Sequence, residues 1–421
     1  MALKDFLLEN STIKNIVTIL DIGSSKIVCL IANISGQKIE IIGSGCHSSN
    51  GFKNGNISDS RLAKTAIIAA VDQAEKEAGI VIDKVILALN GNKIRSHYLN
   101  PSVFLKKQKV SDYDVDYLIS SGIKELENQA CEVIHYFPLK YDVDGNKSIK
   151  DPRGLLGKKL SAEIHFVTVS SILLENIINC LASCQINVED CIFAPYSAGL
   201  ATLNDNDKEF GATIIDFGDG ITSYALFSQN NMVNCGFVPI GSRSITNDIA
   251  KSFMLDVPTA ERIKTIHGAA SVNYADNQKM ISYKTDGNFL GCLEAEDRSI
   301  SNAELNEVIN ARIEEILSLL KNILDNQYKL FPNTQHNIVL TGGGSLLTGI
   351  AEESSKILAS KVRLGRPMMV KGLSQDAVNS TYAAAIGALQ YLSNNNLNMH
   401  SADLTKISFA NKVINWFKNS F

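Results

Sequence analysis

Several features that would place a chain quickly are scarce or missing from this 421-residue sequence. It has one tryptophan, Trp416, and no apolar run near the length of a membrane span; a crossing helix, which needs about 20 such residues, is therefore not expected. The N-terminal stretch MALKDFLLENSTIKN carries acids inside its short apolar run, which argues against a secretory signal peptide. The eight cysteines form no C-x-x-C pair and have no histidine at zinc-ligand spacing. Most sit in apolar runs and read as buried, reduced thiols. Neither sign of charge dominates: the net charge is −4, with no global signature of nucleic-acid binding. These absences together point to a cytoplasmic protein. A hydrophobic content of 45% leaves ample core for two lobes or more.

What the chain does have is a repeat. Val17 to Gly45 (VTILDIGSSKIVCLIANISGQKIEIIGSG) and Ala212 to Gly241 (ATIIDFGDGITSYALFSQNNMVNCGFVPIG) share one design. Each opens with an apolar β-rich run ending in Asp (Asp21, Asp216), followed by a glycine turn, a second run, a polar turn and a third run. A glycine hairpin turn exposes backbone N–H groups in a nest that suits phosphate oxygens, and an Asp at the preceding strand end can hold hydrated Mg²⁺. Two such hairpins face to face would clamp a polyphosphate between two lobes. A third glycine feature lies at Thr341-Gly342-Gly343-Gly344-Ser345, after an apolar strand Asn337 to Leu340 and before helical spacing from Leu346 to Leu358. Such a loop lets a nucleotide approach backbone without Cβ obstruction.

Between these features strands and helices alternate. Helices are expected at Ser58 to Ala78, stopped by Gly79, and at Ser171 to Cys184; strands are expected at Val85 to Leu89 and Asp190 to Phe193. Ser301 with Glu304 forms a capping-box signature for a long helix to about Lys329. Ile82 to Glu163 reads as a separate module with a helix from Asp112 to Glu127 and a strand pair turning at Asp144-Gly145. The whole is an α/β protein of duplicated origin.

The end of the chain changes character. Residues 394–403 read as a polar linker, and Leu404 to Phe421 has helical periodicity. Ile407, Ala410, Val413, Ile414, Phe417 and Phe421 share one stripe with Phe409 and Trp416 along its edge, while Lys412 and Lys418 lie on the polar face. A basic helix with aromatics on its apolar face suits an anionic membrane surface.

The two Asp-Gly hairpins and the TGGGS loop resemble the phosphate-1, phosphate-2 and adenosine motifs of the actin, sugar-kinase and heat-shock-chaperone ATPase superfamily. Within it the chain most resembles the bacterial FtsA family of cell-division proteins, from about Val17 onward. LDIGSSKI at the first hairpin, KDPRGLLGKKL at Lys150 to Leu160, AERIKTIHG at Ala260 to Gly268 and the tail helix carry the likeness. The resemblance implies an actin-like, duplicated ribonuclease-H-type fold of two lobes, with an inserted 1C-type subdomain and a C-terminal amphipathic helix. It divides the chain into subdomain 1A (15–81, 166–195 and 374–393), the 1C insert (82–165), 2A (196–245 and 321–373), 2B (246–320), the linker (394–403) and the membrane helix (404–421).

Carried over by position, Asp21, Gly23, Ser24, Ser25 and Lys26 would face the phosphates of ATP from one lobe, and Asp216, Gly218, Asp219 and Gly220 from the other. Asp21 and Asp216 would hold Mg²⁺. Gly241, Glu261 and Lys264 would lie near ribose and adenine, with Gly342, Gly343, Gly344 and Ser345 closing the base pocket. The implied partners are FtsZ, further copies in a filament, other division proteins through the insert, and the anionic cytoplasmic face of the cell membrane at the division site.

Two departures stand out. The second hairpin reads DFGDGI where the family shows D-x-G-G-G-T, so Asp219 brings a carboxylate that repels phosphates unless it reaches the metal, and Ile221 replaces a hydroxyl. The Phe193-Ala194-Pro195-Tyr196 run offers no group to orient water, so a nucleotide-binding switch with weak hydrolysis at most is expected. An actin-like pilus-assembly adaptor similar to PilM, or a small-molecule kinase of the superfamily, is the alternative.

Overall fold

The computed structural model of the protein describes residues 16–398, apart from 128, 273–278, 285–296, 333, 335 and 375–377. The expected tail helix, with its membrane-facing residues, lies outside the described residues.

The first repeat folds as three antiparallel strands, β1 (Ile16–Ile22), β2 (Lys26–Ser35) and β3 (Lys38–Ser48). A fourth strand, β4 (Lys84–Leu89), pairs parallel with β1. It belongs to this lobe, so the insert begins after Leu89 and not at residue 82. The helix Ser60–Ala78 lies across the sheet and buries Ala63, Ala66, Ile67, Ala70, Val71 and Ala74. Asp59 caps its start by accepting from the Arg61 and Leu62 amides, and Gly79 ends it in the left-handed conformation at φ 69°.

The insert carries its own sheet of β5 (Ile94–Leu99), β6 (Ser102–Phe104), β7 (Cys131–Val143), β8 (Asn146–Ile149) and β9 (Lys159–Ser170). Its order is β8-β7-β9-β5 with β6 also on β9. The helix Asp112–Glu127 matches the expected span and buries Val115, Leu118, Ile119, Ile123 and Leu126 against this sheet. Asp144 and Gly145, at φ 51° and 90°, make the two-residue hairpin turn between β7 and β8.

After the helix Ser171–Ala182 the chain returns to the first lobe as β10 (Asn187–Phe193), parallel to β4. The second repeat then forms β11 (Ala212–Phe217), β12 (Thr222–Ser228) and β13 (Asn231–Val238), joined by the parallel strands β14 (Asn337–Thr341) and β15 (Val362–Leu364). The two large sheets read β3-β2-β1-β4-β10 and β13-β12-β11-β14-β15. They are the same topology twice, three antiparallel strands followed by two parallel ones.

The helix Asn302–Leu330 begins at the expected capping box and runs unbroken past residue 320, so the boundary expected there falls inside one helix. The expected helix from Leu346 instead opens as a 3₁₀ turn, Gly343–Leu346, with the α-helix confined to Ile350–Leu358 behind Gly349 at φ 73°. Leu347 is extended (φ −65°, ψ 132°), which breaks the turn. The helix Ala383–Asn398 runs through the asparagines expected to open the linker, so the end of this helix lies beyond residue 394.

The insert also touches the second lobe, which the sequence did not suggest. Tyr98 donates its hydroxyl to the Val233 carbonyl at 2.7 Å and accepts from Asn234 Nδ2 at 2.8 Å. His165 is fully buried, and its Nδ1 donates to the Met232 carbonyl at 2.8 Å. Burial pulls its pKa down to about 4, so the ring is neutral and Nε2 accepts from Ser96 Oγ at 2.9 Å. Ser96 in turn accepts the Cys235 amide at 3.0 Å. Side chains of β5 and β9 thus satisfy backbone groups on β13, an edge strand of the second large sheet.

Candidate functional site

Both repeats turn from first to second strand in the same way. The Gly23 amide donates to the Lys26 carbonyl at 3.0 Å, and the Gly218 amide donates to the Ile221 carbonyl at 3.1 Å. Asp21 therefore corresponds to Asp216, Ser24 to Asp219 and Ser25 to Gly220. The two hairpins and the glycine loop enclose one cavity of about 350 Å³, large enough for a small organic ligand. Asp21, Gly23, Ser24, Ser25 and Lys26 line it from the first lobe; Asp216, Gly218, Asp219, Gly220, Glu261, Lys264, Gly342, Gly343 and Gly344 line it from the second.

Gly241 and Ser345 are placed outside that lining. Gly241 precedes the helix Ser242–Phe253, whose first amides, Ser242 and Arg243, donate to the Gly218 and Asp219 carbonyls at 3.0 and 2.9 Å. Gly241 lets this helix dock on the second hairpin. Ser345 is buried and donates to the Gly342 carbonyl at 2.7 Å, bracing the glycine loop from behind.

Strand register brings Thr341 beside Asp216, so the glycine loop begins against that carboxylate. Gly342 has φ 82°, and a Cβ on it would stand 2.2 Å from Asp216 Oδ1; no other residue fits there. Burial is the main cause of the raised pKa of Asp21, about 7, with the Asp216 charge adding to it and Lys26 opposing. Burial also raises Asp216 to about 6, against a hydrogen bond from Asn90. Both oxygens sets are poor places for charge until a cation arrives.

Lys26 lines the cavity, but its ammonium donates to Thr381 Oγ1 at 2.5 Å and lies 4.2 Å from the centre of the Tyr382 ring. Lys264 is buried and donates to Glu261 Oε2 at 2.7 Å and Thr246 Oγ1 at 2.8 Å. Burial would raise the Glu261 pKa, yet Lys264, Thr246 and Arg243 together hold it below the ordinary value. Lys264 is packed into the cavity wall, while the Glu261 side chain that it holds stays 49% exposed. Ile245, Leu346 and Leu347 supply an apolar end to the cavity.

The extra carboxylate of the second hairpin is compensated. Arg243 donates from Nε to Asp219 Oδ2 at 2.7 Å, and from a terminal nitrogen to the Ser24 carbonyl of the opposite hairpin at 3.3 Å. Ile221, where a hydroxyl was expected, is buried in the hairpin base with its carbonyl held by Gly218. From the Phe193–Tyr196 run only Ala194 reaches the cavity; Tyr196 packs instead on Phe137, Phe227 and His135.

Sequence reasoning passed over Asn90, Arg243 and Thr381. Asn90 follows the C-terminal end of a parallel strand, where open α/β sheets place their ligands, and could have been found on that ground. Arg243 was signalled only by Asp219 needing a cation. Thr381 had no local signal.

Comparison with known proteins decides the family. Residues 213–387 match the family described as cell division protein FtsA, and residues 91–168 match the SHS2 domain inserted in FTSA. Cell division protein FtsA of Agrobacterium fabrum is 32% identical over 429 residues, covering 97% of this chain and 95% of its own. That of Escherichia coli K12 is 27% identical over 423 residues, covering 98% and 99%. Among solved structures, a chain of the PilM-PilN type IV pilus biogenesis complex aligns at a TM-score of 0.62 over 90% of this chain and 98% of its own, at 14% identity. MreB5 of Spiroplasma citri bound to ADP aligns at 0.57 over 92% and 99%, also at 14% identity. The structural likenesses establish the actin-like fold, and the sequence relatives, matched over nearly the whole length, establish that the chain belongs to the FtsA family of cell-division proteins.

Proposed function

We propose that the interlobe cleft binds Mg-ATP and that the protein is a division adaptor, assembling into filaments that tether FtsZ to the cytoplasmic face of the cell membrane and recruit later division proteins through the insert. The observation that carries the nucleotide assignment is the single cavity in which both Asp-Gly hairpins and the glycine loop converge. The hairpin amides suit phosphate oxygens, the Glu261–Lys264–Thr246 cluster suits a ribose, and Ile245, Leu346 and Leu347 suit the face of a purine.

The donors fit Mg²⁺ in one particular way. Asp21 and Asp216 are hard oxygen ligands, and the described residues hold no group of three or more His, Cys, Asp or Glu able to bind a metal alone. Magnesium would therefore sit between these carboxylates and the phosphates, keep several waters, and neutralise phosphate charge. Ala194 and Ala198 are what the helix Ala194–Thr202 presents to the cavity, which supports slow hydrolysis and a switch role. Family membership supports the adaptor reading over a pilus adaptor, whose case rests on fold alone. The basic, aromatic pattern of 404–421 supports the membrane contact.

Co-sedimentation with anionic liposomes, using intact protein and protein ending at residue 403, with and without Mg-ATP and with FtsZ in solution, tests the whole reading. Intact protein should pellet, carry FtsZ with it and do so more strongly with Mg-ATP. Equal pelleting of the shortened protein, or FtsZ left in the supernatant, would overturn the tether.

A further inference from the structure

We propose that Asp219 and Arg243 form a charge-compensated gate that sets how strongly the cleft prefers a nucleoside triphosphate to a diphosphate; this rests on the cleft being a nucleotide site. Asp219 occupies the tip of the second hairpin, where its side chain is only 13% exposed and lines the cavity. It stands at the position equivalent to Ser24, whose hydroxyl lies so close across the cleft that a Cβ on Gly220 would come within 2.7 Å of it. A carboxylate in that place, alone, repels whatever anion lies between the hairpins.

Arg243 removes that repulsion. Its guanidinium lies 2.6 Å from Asp219 Oδ2 through one terminal nitrogen and 2.7 Å through Nε. Its own amide donates to the Asp219 carbonyl at 2.9 Å, so the backbone fixes the two residues relative to each other. The same guanidinium reaches the Ser24 carbonyl at 3.3 Å, which ties the pair to the first hairpin. A neutral, two-lobed tip results where the D-x-G-G-G-T pattern has only backbone. With phosphates on the hairpin amides, as proposed, the base would lie toward Ile245, Leu346 and Leu347. Lengthening the ligand by one phosphate adds negative charge nearest this tip, so the balance between Asp219 and Arg243 acts more on a triphosphate than on a diphosphate.

The test is a cycle of Arg243→Ala, Asp219→Gly and the double variant in the full chain, read by equilibrium titration with fluorescent ATP and ADP analogues in Mg²⁺. Arg243→Ala leaves Asp219 unpaired and should weaken ATP by about tenfold while weakening ADP by less than about threefold. Asp219→Gly frees the guanidinium and should tighten ATP severalfold. The double variant should return to within about threefold of the parent, and Arg243→Lys, which keeps charge without the fork, should fall between. Arg243→Ala strands a largely buried carboxylate and should also lower the nucleotide-free melting temperature, so the ATP-to-ADP affinity ratio, which a general loss of stability does not move, is the deciding readout. If the parent binds both nucleotides and Arg243→Ala keeps their affinity ratio, the gate is wrong and the cleft assignment stands. If the parent binds neither, both fall together.

Discussion

Asn90 of the first lobe donates from Nδ2 to Asp216 Oδ2 of the second at 2.9 Å, and to Ser223 Oγ at 2.8 Å. Its own carbonyl oxygen accepts the Gly91 amide at 3.0 Å, which fixes the amide orientation. One side chain therefore orients a carboxylate of the cleft and bridges the lobes. Asn90→Ala should speed nucleotide release about three- to tenfold with little change in association, because two interlobe hydrogen bonds, one to a carboxylate and one to the Ser223 hydroxyl, are lost. Stopped-flow displacement of a fluorescent nucleotide reads this directly, and an unchanged release rate would count against the bridge.

The raised carboxyl pKa values make nucleotide-free stability depend on pH. Asp21 holds its proton to about pH 7 in the fold but releases it near 3.8 when unfolded. Below 3.8 neither state pays for ionisation; between 3.8 and 7 the unfolded chain gains, so stability falls as pH rises. Asp21→Asn should abolish this component and raise the melting temperature at pH 8 by at least about 2 °C, with no gain at pH 4. Melts of parent and variant across that range, without Mg²⁺ or nucleotide, would show equal slopes if the carboxyl were not perturbed.

Neighbouring glycines should respond differently to substitution. A Cβ on Gly343 meets nothing nearer than Thr381 Cγ2 at 4.0 Å, so Gly343→Asp should fold normally yet place a charged side chain in the cavity and abolish nucleotide binding. Gly342→Ala strikes Asp216 Oδ1 and adopts φ 82°, so it should lower the melting temperature itself. A folded Gly343→Asp variant that binds ATP like the parent would remove the glycine loop from the site.

Hydrogen bonds help fasten the insert to the second lobe, beside ring contacts such as that of Tyr98 with Phe331. Ser96→Ala leaves the buried His165 Nε2 and the Cys235 amide without partners and should cost about 1–3 kcal/mol. Hydrogen exchange at Cys235 should accelerate, whereas amides in the helix Ser60–Ala78, which packs on the first lobe, should exchange as before. Uniform acceleration across both regions would indicate global destabilisation and not a local fastening.

Membrane attachment should depend on the tail. Burying Ile407, Val413, Ile414, Phe417 and Phe421 at about 25 cal/mol per Å² gains several kcal/mol, with each lysine near an anionic surface adding about 1 kcal/mol. Replacing Trp416 and Phe417 with Glu should release the protein from anionic liposomes while nucleotide affinity stays unchanged. Pelleting of this double variant at parental levels would place the anchor elsewhere.

Much of the fold is legible in the sequence because it is locally encoded. The paired Asp-Gly hairpins, the capping box at Ser301 and Glu304, the stop at Gly79 and the turn at Asp144-Gly145 each depend on residues within a few positions of one another. The glycine loop at 342–344 and the hairpin residues of the cavity lining are likewise readable from pattern, whereas Gly55, Asn90, Ser242, Ile245 and Thr381 of the same lining are not. What only the tertiary structure decided are relations across long separations. Lys84–Leu89 looks like the start of the insert until its parallel pairing with β1 assigns it to the first lobe. Asp219 looks repulsive until helix docking brings Arg243 to it, Lys26 is drawn to Thr381 by the returning chain, and Asn90 meets Asp216 across 126 residues. Turn and cap chemistry is a property of adjacent residues, but the neutralising partner of a buried charge is whichever group the folded chain places within reach, and sequence proximity does not determine that.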